Sequence, residues 1–205
     1  MSLFPMFLKL EGRSCLVVGA GKVGESKIRS LLVARAKLRV VAPWATPAVA
    51  GWARAGVVQW DAREFQISDL DSTFLVVAGT SSVEVNDLVY REAARRQILC
   101  NVVDDPERCD FYYPAVVRRG ALQVAISTEG RSPALAQRLR REIEAQLAPV
   151  YAGWVDQLGK VRKRLFGRSI SPERRRRWLH ELASRNPFET RKHAEAVEPG
   201  VVYER

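Results

Sequence analysis

Val17-Val18-Gly19-Ala20-Gly21-Lys22-Val23-Gly24 sets three glycines in the spacing G-x-G-x-x-G, directly after an apolar run and directly before an amphipathic stretch. In that context the first glycine permits a tight turn and the second lets the backbone approach a pyrophosphate. The third lets helix and strand pack closely, while the helix start offers free amides and a partial positive charge to the phosphates. Gly19, Gly21 and Gly24 are therefore expected to hold a dinucleotide, with a purely structural Gly-rich turn as the alternative. The phosphate loop of nucleotide-hydrolysing proteins needs G-x-x-x-x-G-K-[ST], and Gly24 is followed by Glu25-Ser26, which removes its lysine and its metal-binding hydroxyl. The acid that commonly binds the adenosine ribose about 20 residues further on is missing, because the second strand ends Val40-Val41-Ala42-Pro43-Trp44. Arg39 is a candidate for a 2′-phosphate, but it lies within the strand rather than after it, and an exposed strand residue is the preferred reading.

Catalytic groups are sought past the carboxyl ends of later strands, where open α/β sheets bind their ligands. Asn101-Val102-Val103-Asp104-Asp105 is such a place: a carboxylate just past a buried strand can take up a proton or orient a substrate, and a turn-forming aspartate before Pro106 is the other reading. The pair Y-x-x-x-K is absent, since Tyr90, Tyr112, Tyr113 and Tyr151 are followed four residues later by Ala94, Val116, Val117 and Val155. His180 and His193 sit in the tail and read as surface residues. Cys15, Cys100 and Cys109 are odd in number, far apart and never C-x-x-C, so neither a disulfide framework nor a metal site is expected.

The elements that must position these groups alternate over the first 113 residues between short apolar runs and helix-like stretches, the pattern of a parallel sheet covered by helices. Phe7–Leu10 and Ser14–Val18 read as two strands joined at Glu11-Gly12. Lys22–Ala34 reads as a helix with Val23, Ile28, Leu31 and Leu32 as its buried stripe. Leu38–Val41, Val57–Trp60, Phe74–Ala78 and Ile98–Val102 are further strands, with helices between Pro43 and Gly56 and over Val83–Arg96. After Pro114, Ala115–Arg118 and Leu122–Ser127 flank Arg119-Gly120 as a hairpin. Ser132-Pro133 then caps a helix whose Leu135, Leu139, Ile143 and Leu147 recur at four-residue spacing. The expected architecture is α/β: a Rossmann-type parallel sheet over residues 1–113, a small hairpin-and-helix dimerisation unit over 114–148, and a helical C-terminal region over 149–205. The tail's apolar stripe (Trp154, Leu158, Val161, Leu165, then Trp178 and Leu182) suggests packing against a partner subunit.

No run approaches the roughly 18 apolar residues of a membrane helix, and the opening residues lack a secretory pattern, which gives a cytoplasmic protein as the expectation. The formal charge of +10 in 205 residues is uneven: Lys160 to Arg177 carries nine basic residues against one acid, Glu173. A solvated face is the first reading of that run, and a polyanion-binding surface the second.

Three segments together resemble the precorrin-2 dehydrogenase module of siroheme synthase, without the methyltransferase half that some members carry. They are FPMFLKLEGRSCLVVGAGKVGESK, the Ala78-Gly79-Thr80 turn with Asn86, and CNVVDDPERCDFYYPAVVRRGALQVAISTEGRSPALAQRLR. The resemblance implies NAD-dependent oxidation of precorrin-2 to sirohydrochlorin, a homodimer, and in some members iron or cobalt insertion into the product. It makes Asp104 the catalytic carboxylate. It adds Lys22, Val23, Val41, Ala42 and Thr80 to the cofactor site, and Ser127, Thr128, Gly130, Arg131 and Ser132 to the site for the tetrapyrrole carboxylates. Thr128 stands where some relatives carry serine. Under this reading neither a membrane nor a nucleic acid is a partner. The rival is an NAD(H)-sensing regulator whose basic tail binds nucleic acid.

Overall fold

Strands buried on both faces need near-continuous apolar sequence, and SCLVVGA and LVVA supply it. The computed structural model describes residues 3–185 and 187; His193 and the end of the expected helical region lie outside them. The chain divides into two compact units, Met1–Tyr113 and Pro114–Arg205.

The first unit is a five-stranded parallel sheet formed by β1 (Ser14–Ala20), β2 (Lys37–Ala45), β3 (Gln59–Asp61), β4 (Leu75–Ala78) and β5 (Leu99–Val102), in the order β3-β2-β1-β4-β5. That order reverses between β1 and β4, which opens a crevice at their carboxyl ends. Helices α1 (Lys22–Val33) and α2 (Pro47–Arg54) belong to one face, where Val17, Ile28, Leu31, Val40, Val49 and Val77 form a buried core. Helix α3 (Val83–Arg95) belongs to the other, over Leu16, Val18, Val76, Val89, Ala93 and Cys100. Each valine, leucine or isoleucine among these contributes about 1.5–3 kcal/mol by leaving water. Thr46 caps α2 and Ser82 caps α3 through their hydroxyls.

Phe7–Leu10 is not a strand. Both edges of β1 are taken, by β2 and β4, so no antiparallel partner can pair with it, and only Leu10 of that segment is buried. Val23 does not belong to the buried stripe of α1: it is 47% exposed, and Gly24, Ile28 and Leu31 face the sheet. Arg39 is not an exposed strand residue. It and Arg63 pair with Asp61 and with the buried Asp69, tying the 3-10 turn Ile67–Leu70 to the edge of β2 and β3. Burial raises the Asp69 carboxyl, but the Arg63 hydrogen bond, the Gln66 amide and the charges of Arg63 and Arg39 outweigh it and hold the group below the usual carboxylate range.

The second unit opens with the antiparallel hairpin β6 (Ala115–Arg119) and β7 (Leu122–Ile126), on which α4 (Pro133–Gln146) packs. Arg119 donates to the carbonyls of Glu144 and Leu147 and so fastens the end of α4 to the hairpin. Helices α5 (Val150–Phe166) and α6 (Pro172–Ala183) follow and pack on each other. Among the described residues no helix is long and apolar enough to cross a membrane.

Candidate functional site

The three glycines answer to three different constraints. Gly19 has φ +102°, and a Cβ there would stand 2.4 Å from the Gly79 carbonyl oxygen, so both its backbone and its neighbours demand glycine. At Gly24 a Cβ would meet the Gly19 carbonyl oxygen at 2.2 Å, which is the close strand–helix approach. Gly21 has φ −72°, open to any residue, and a Cβ there would touch only the Trp44 ring at 3.4 Å. Neither conformation nor packing requires glycine at 21, which leaves space above its backbone. Gly21 is also the N-cap of α1 and no side chain caps that helix, so the amides of its first turn keep unused donors beside this space. A pyrophosphate fits such a cradle.

Two further loops end beside it. The Gly79 amide donates to the Val18 carbonyl, so the turn after β4 lies against the end of β1. Thr80 is locally committed: its hydroxyl reaches Asn86 Oδ1 at 2.8 Å, Asn86 Nδ2 donates to the Thr80 carbonyl, and the Ser82 amide donates to Thr80 Oγ1. This network stiffens the turn. β2 runs on to Ala45, past the expected end at Val41, so Val41 and Ala42 are buried within it, while Pro43 and Trp44 are exposed, with Trp44 at 66%. Lys22 and Val23 are exposed at the start of α1.

The loop after β5 carries Asp104. The Val103 amide donates to the Ala78 carbonyl, which holds this loop against the end of β4. Asp104 is exposed with φ +63°, a left-handed conformation that aspartate tolerates better than most residues. The loop is clamped from below: Asn101 Nδ2 donates to the Phe111 carbonyl and to Cys109 Sγ, the Cys109 thiol lies 3.1 Å from the carbonyls of Val102 and Asp105, and Asp110 accepts the Cys100 amide. Burial pushes the Cys15 thiol up to about 11 and that of Cys100 to about 12, so both are inert. Lys27 of α1 lies beside this loop, its ammonium 4.0 Å from the Tyr113 ring centroid. Burial lowers the lysine, and the negative charge of Asp104 works against that shift. Trp44 and Lys27 escaped the sequence reading because only the fold brings them to the glycine loop and to Asp104.

In the second unit the Ser127, Thr128 and Ser132 oxygens each accept a backbone amide, from Glu129, Ser132 and Leu135 respectively. Their hydroxyl protons remain able to donate. Gly130 takes φ +77° in this turn, and Arg131 is 83% exposed with Glu129 at 3.8 Å. Among the described residues no three His, Cys, Asp or Glu side chains are grouped to hold a metal ion, and His180 is exposed.

The chain is similar to "Siroheme synthase 3" of Aeromonas hydrophila subsp. hydrophila, 44% identical over 183 residues that make up 89% of this chain and 39% of that protein. It is similar to "Siroheme synthase 2" of Yersinia enterocolitica, 39% identical over 183 residues, with the same coverage. The chain thus spans about two fifths of the length of these curated relatives. Among solved structures it is similar to "SirC, precorrin-2 dehydrogenase", with a TM-score of 0.75 at 28% identity, covering 88% of this chain and 89% of that one. Residues 119–146 match the family described as "Sirohaem biosynthesis protein central". Residues 6–115, more than half of the chain and the whole of the glycine cradle and Asp104 loop, match the family described as "Putative NAD(P)-binding", and to this NAD(P)-binding family the chain belongs.

Proposed function

We propose that this chain oxidises precorrin-2 to sirohydrochlorin with NAD as hydride acceptor. The observation that carries the reading is the likeness to "SirC, precorrin-2 dehydrogenase", which extends over nearly the full length of both chains rather than over the dinucleotide fold alone. NAD, when bound, supplies the acceptor carbon for the hydride. Gly19, Gly21, Lys22, Val23 and Gly24 hold its pyrophosphate through backbone amides, and Val41-Ala42 of β2 and Thr80 in the turn after β4 flank the adenosine. NAD is preferred over NADP because Arg39, the cation of β2, is tied to Asp61 and Asp69 and is not free for a 2′-phosphate.

Asp104 takes the proton released as the hydride leaves, from an exposed position past β5 with Lys27 beside it. Ser127, Thr128, Gly130, Arg131 and Ser132 meet substrate carboxylates, the hydroxyls donating their free protons and Arg131 its guanidinium. A homodimer and a cytoplasmic location go with this reading. The test follows NADH and product absorbance in the protein supplied with NAD and precorrin-2. Asp104→Asn, which keeps the left-handed backbone accessible, is expected to lower turnover by about 10²-fold or more while NAD binding stays within twofold. Full turnover by the variant would remove Asp104 from the reaction, and an inactive wild type that still binds NAD would overturn the substrate.

A further inference from the structure

Where α5 and α6 meet, α6 presents Pro172, Arg175, Arg176, Leu179 and His180 to a shared groove. These are the i, i+3, i+4, i+7 and i+8 positions, the stripe that a surface helix ordinarily fills with apolar side chains. Here two arginines and a histidine occupy it. Helix α5 adds Arg162 and Phe166, and together these side chains line a groove of about 290 Å³ that is open to solvent. Phe166 is 55% exposed, and its ring centroid lies 4.1 Å from the guanidinium of Arg175 and 5.2 Å from that of Arg162. The ring therefore orients two guanidinium forks.

Some arginines of this unit pair with acids, Arg119 and Arg140 with Glu144, Arg138 with Glu142 and Arg185 with Glu181, whereas those of α5 and of the run Arg174 to Arg177 have no such pair among the described residues. Among the described residues no carboxylate lies within ion-pair distance of Arg162, Arg175 or Arg176. Three like charges thus line one groove with no carboxylate partner, an arrangement that favours an anion. A single carboxylate has two oxygens and is satisfied by one guanidinium fork, whereas phosphoryl groups offer enough oxygens for several forks at once. The groove has room for a diphosphate.

We infer that the groove between α5 and α6, lined by Arg162, Arg175, Arg176 and His180, binds a small anion of linked phosphoryl groups. None of these residues belongs to the cofactor cradle, so the inference stands or falls apart from the dehydrogenase reading. The test is calorimetric titration of the full chain with inorganic pyrophosphate at constant ionic strength. Saturable binding is expected. Arg175→Gln/Arg176→Gln weakens it at least tenfold, while Arg168→Gln/Arg177→Gln, with the same loss of charge outside the groove, stays within twofold. Phe166→Leu keeps every charge and weakens binding severalfold; it decides the matter alone should the first pair fail to fold.

No saturable binding by the wild type, or equal losses from the two arginine pairs, overturns the inference. So does binding of tricarballylate as tight as pyrophosphate, which makes the groove a carboxylate site. A short DNA duplex that binds tighter and is weakened equally by both pairs points instead to an extended nucleic-acid surface and also overturns it.

Discussion

Glycine is required at a position by its backbone, by its neighbours or by a ligand, and the cradle separates these causes. At Gly19 the first two act, since φ is +102° and a Cβ would overlap the Gly79 carbonyl. Gly19→Ala is expected to cost on the order of 1–3 kcal/mol in backbone strain alone, with the steric overlap added. At Gly21 neither acts with force. Gly21→Ala is expected to leave the thermal midpoint unchanged or slightly raised, because alanine restricts the unfolded chain at a compatible φ. NAD affinity is expected to fall at least tenfold, roughly 1.4 kcal/mol, because the methyl group stands where the pyrophosphate must approach. Melting curves and NAD titrations of the two variants check this, and a Gly21→Ala protein that binds NAD like the wild type would transfer the cradle's role elsewhere. The glycine spacing was legible because the motif lies within one turn of chain. Lys27 and Trp44 were not: the charge of Asp104 acts on Lys27 only because the fold brings α1 and the loop after β5 near each other, and no local pattern announces that.

Among the elements, the βα alternation was readable because each strand and helix carries its own apolar period; four of the parallel strands lie where those periods fall, while β3 is Gln59–Asp61 rather than Val57–Trp60 and leaves Val57 exposed. Phe7–Leu10 is as apolar as the true strands, yet pairing depends on a free edge, and whether β1 has one is decided by β2 and β4. The link from Arg39 and Arg63 to Asp69 is non-local in the same way, joining β2 to a turn thirty residues on. Its consequence is measurable. Asp69 is held below its ordinary value in the folded chain, so its stabilisation is complete above the unfolded value of about 3.9 and is lost as pH falls through the lower folded value. Asp69→Asn is expected to cost about 1.5–3 kcal/mol at neutral pH. The gap between variant and wild type in urea unfolding should shrink as pH drops below about 4. A gap that stays constant between pH 7 and pH 3 would mean that Asp69 contributes by shape rather than by charge.

At the scale of the whole molecule the two units differ in what they bury. The first has apolar cores on both faces of its sheet. In the second, Ala115, Val117, Ala136, Leu165 and Pro187 are the buried residues among those described, while Leu122, Val124, Ile126, Leu139 and Ile143 are only half-buried and Leu135 is 39% exposed. A two-stranded hairpin is marginal in water by itself, and here α4 and α5 pack on it yet leave its apolar side chains only half-covered. The half-buried side chains lie on β7 and along α4, at the spacing of a single helix face, so the completing surface must be apolar and matched to that face. A second copy of the chain meets this requirement through a two-fold arrangement in which each copy presents the same patch. Sedimentation is expected to give twice the 23.1 kDa chain mass. Leu139→Arg, which sets a charge in the middle of the face without touching the glycine cradle, is expected to give the single-chain mass and a lower thermal midpoint, with NAD binding within a fewfold of wild type. A wild type that sediments as one chain, or a Leu139→Arg protein that still sediments as two, would show that the apolar face of the second unit is not where copies of this chain meet.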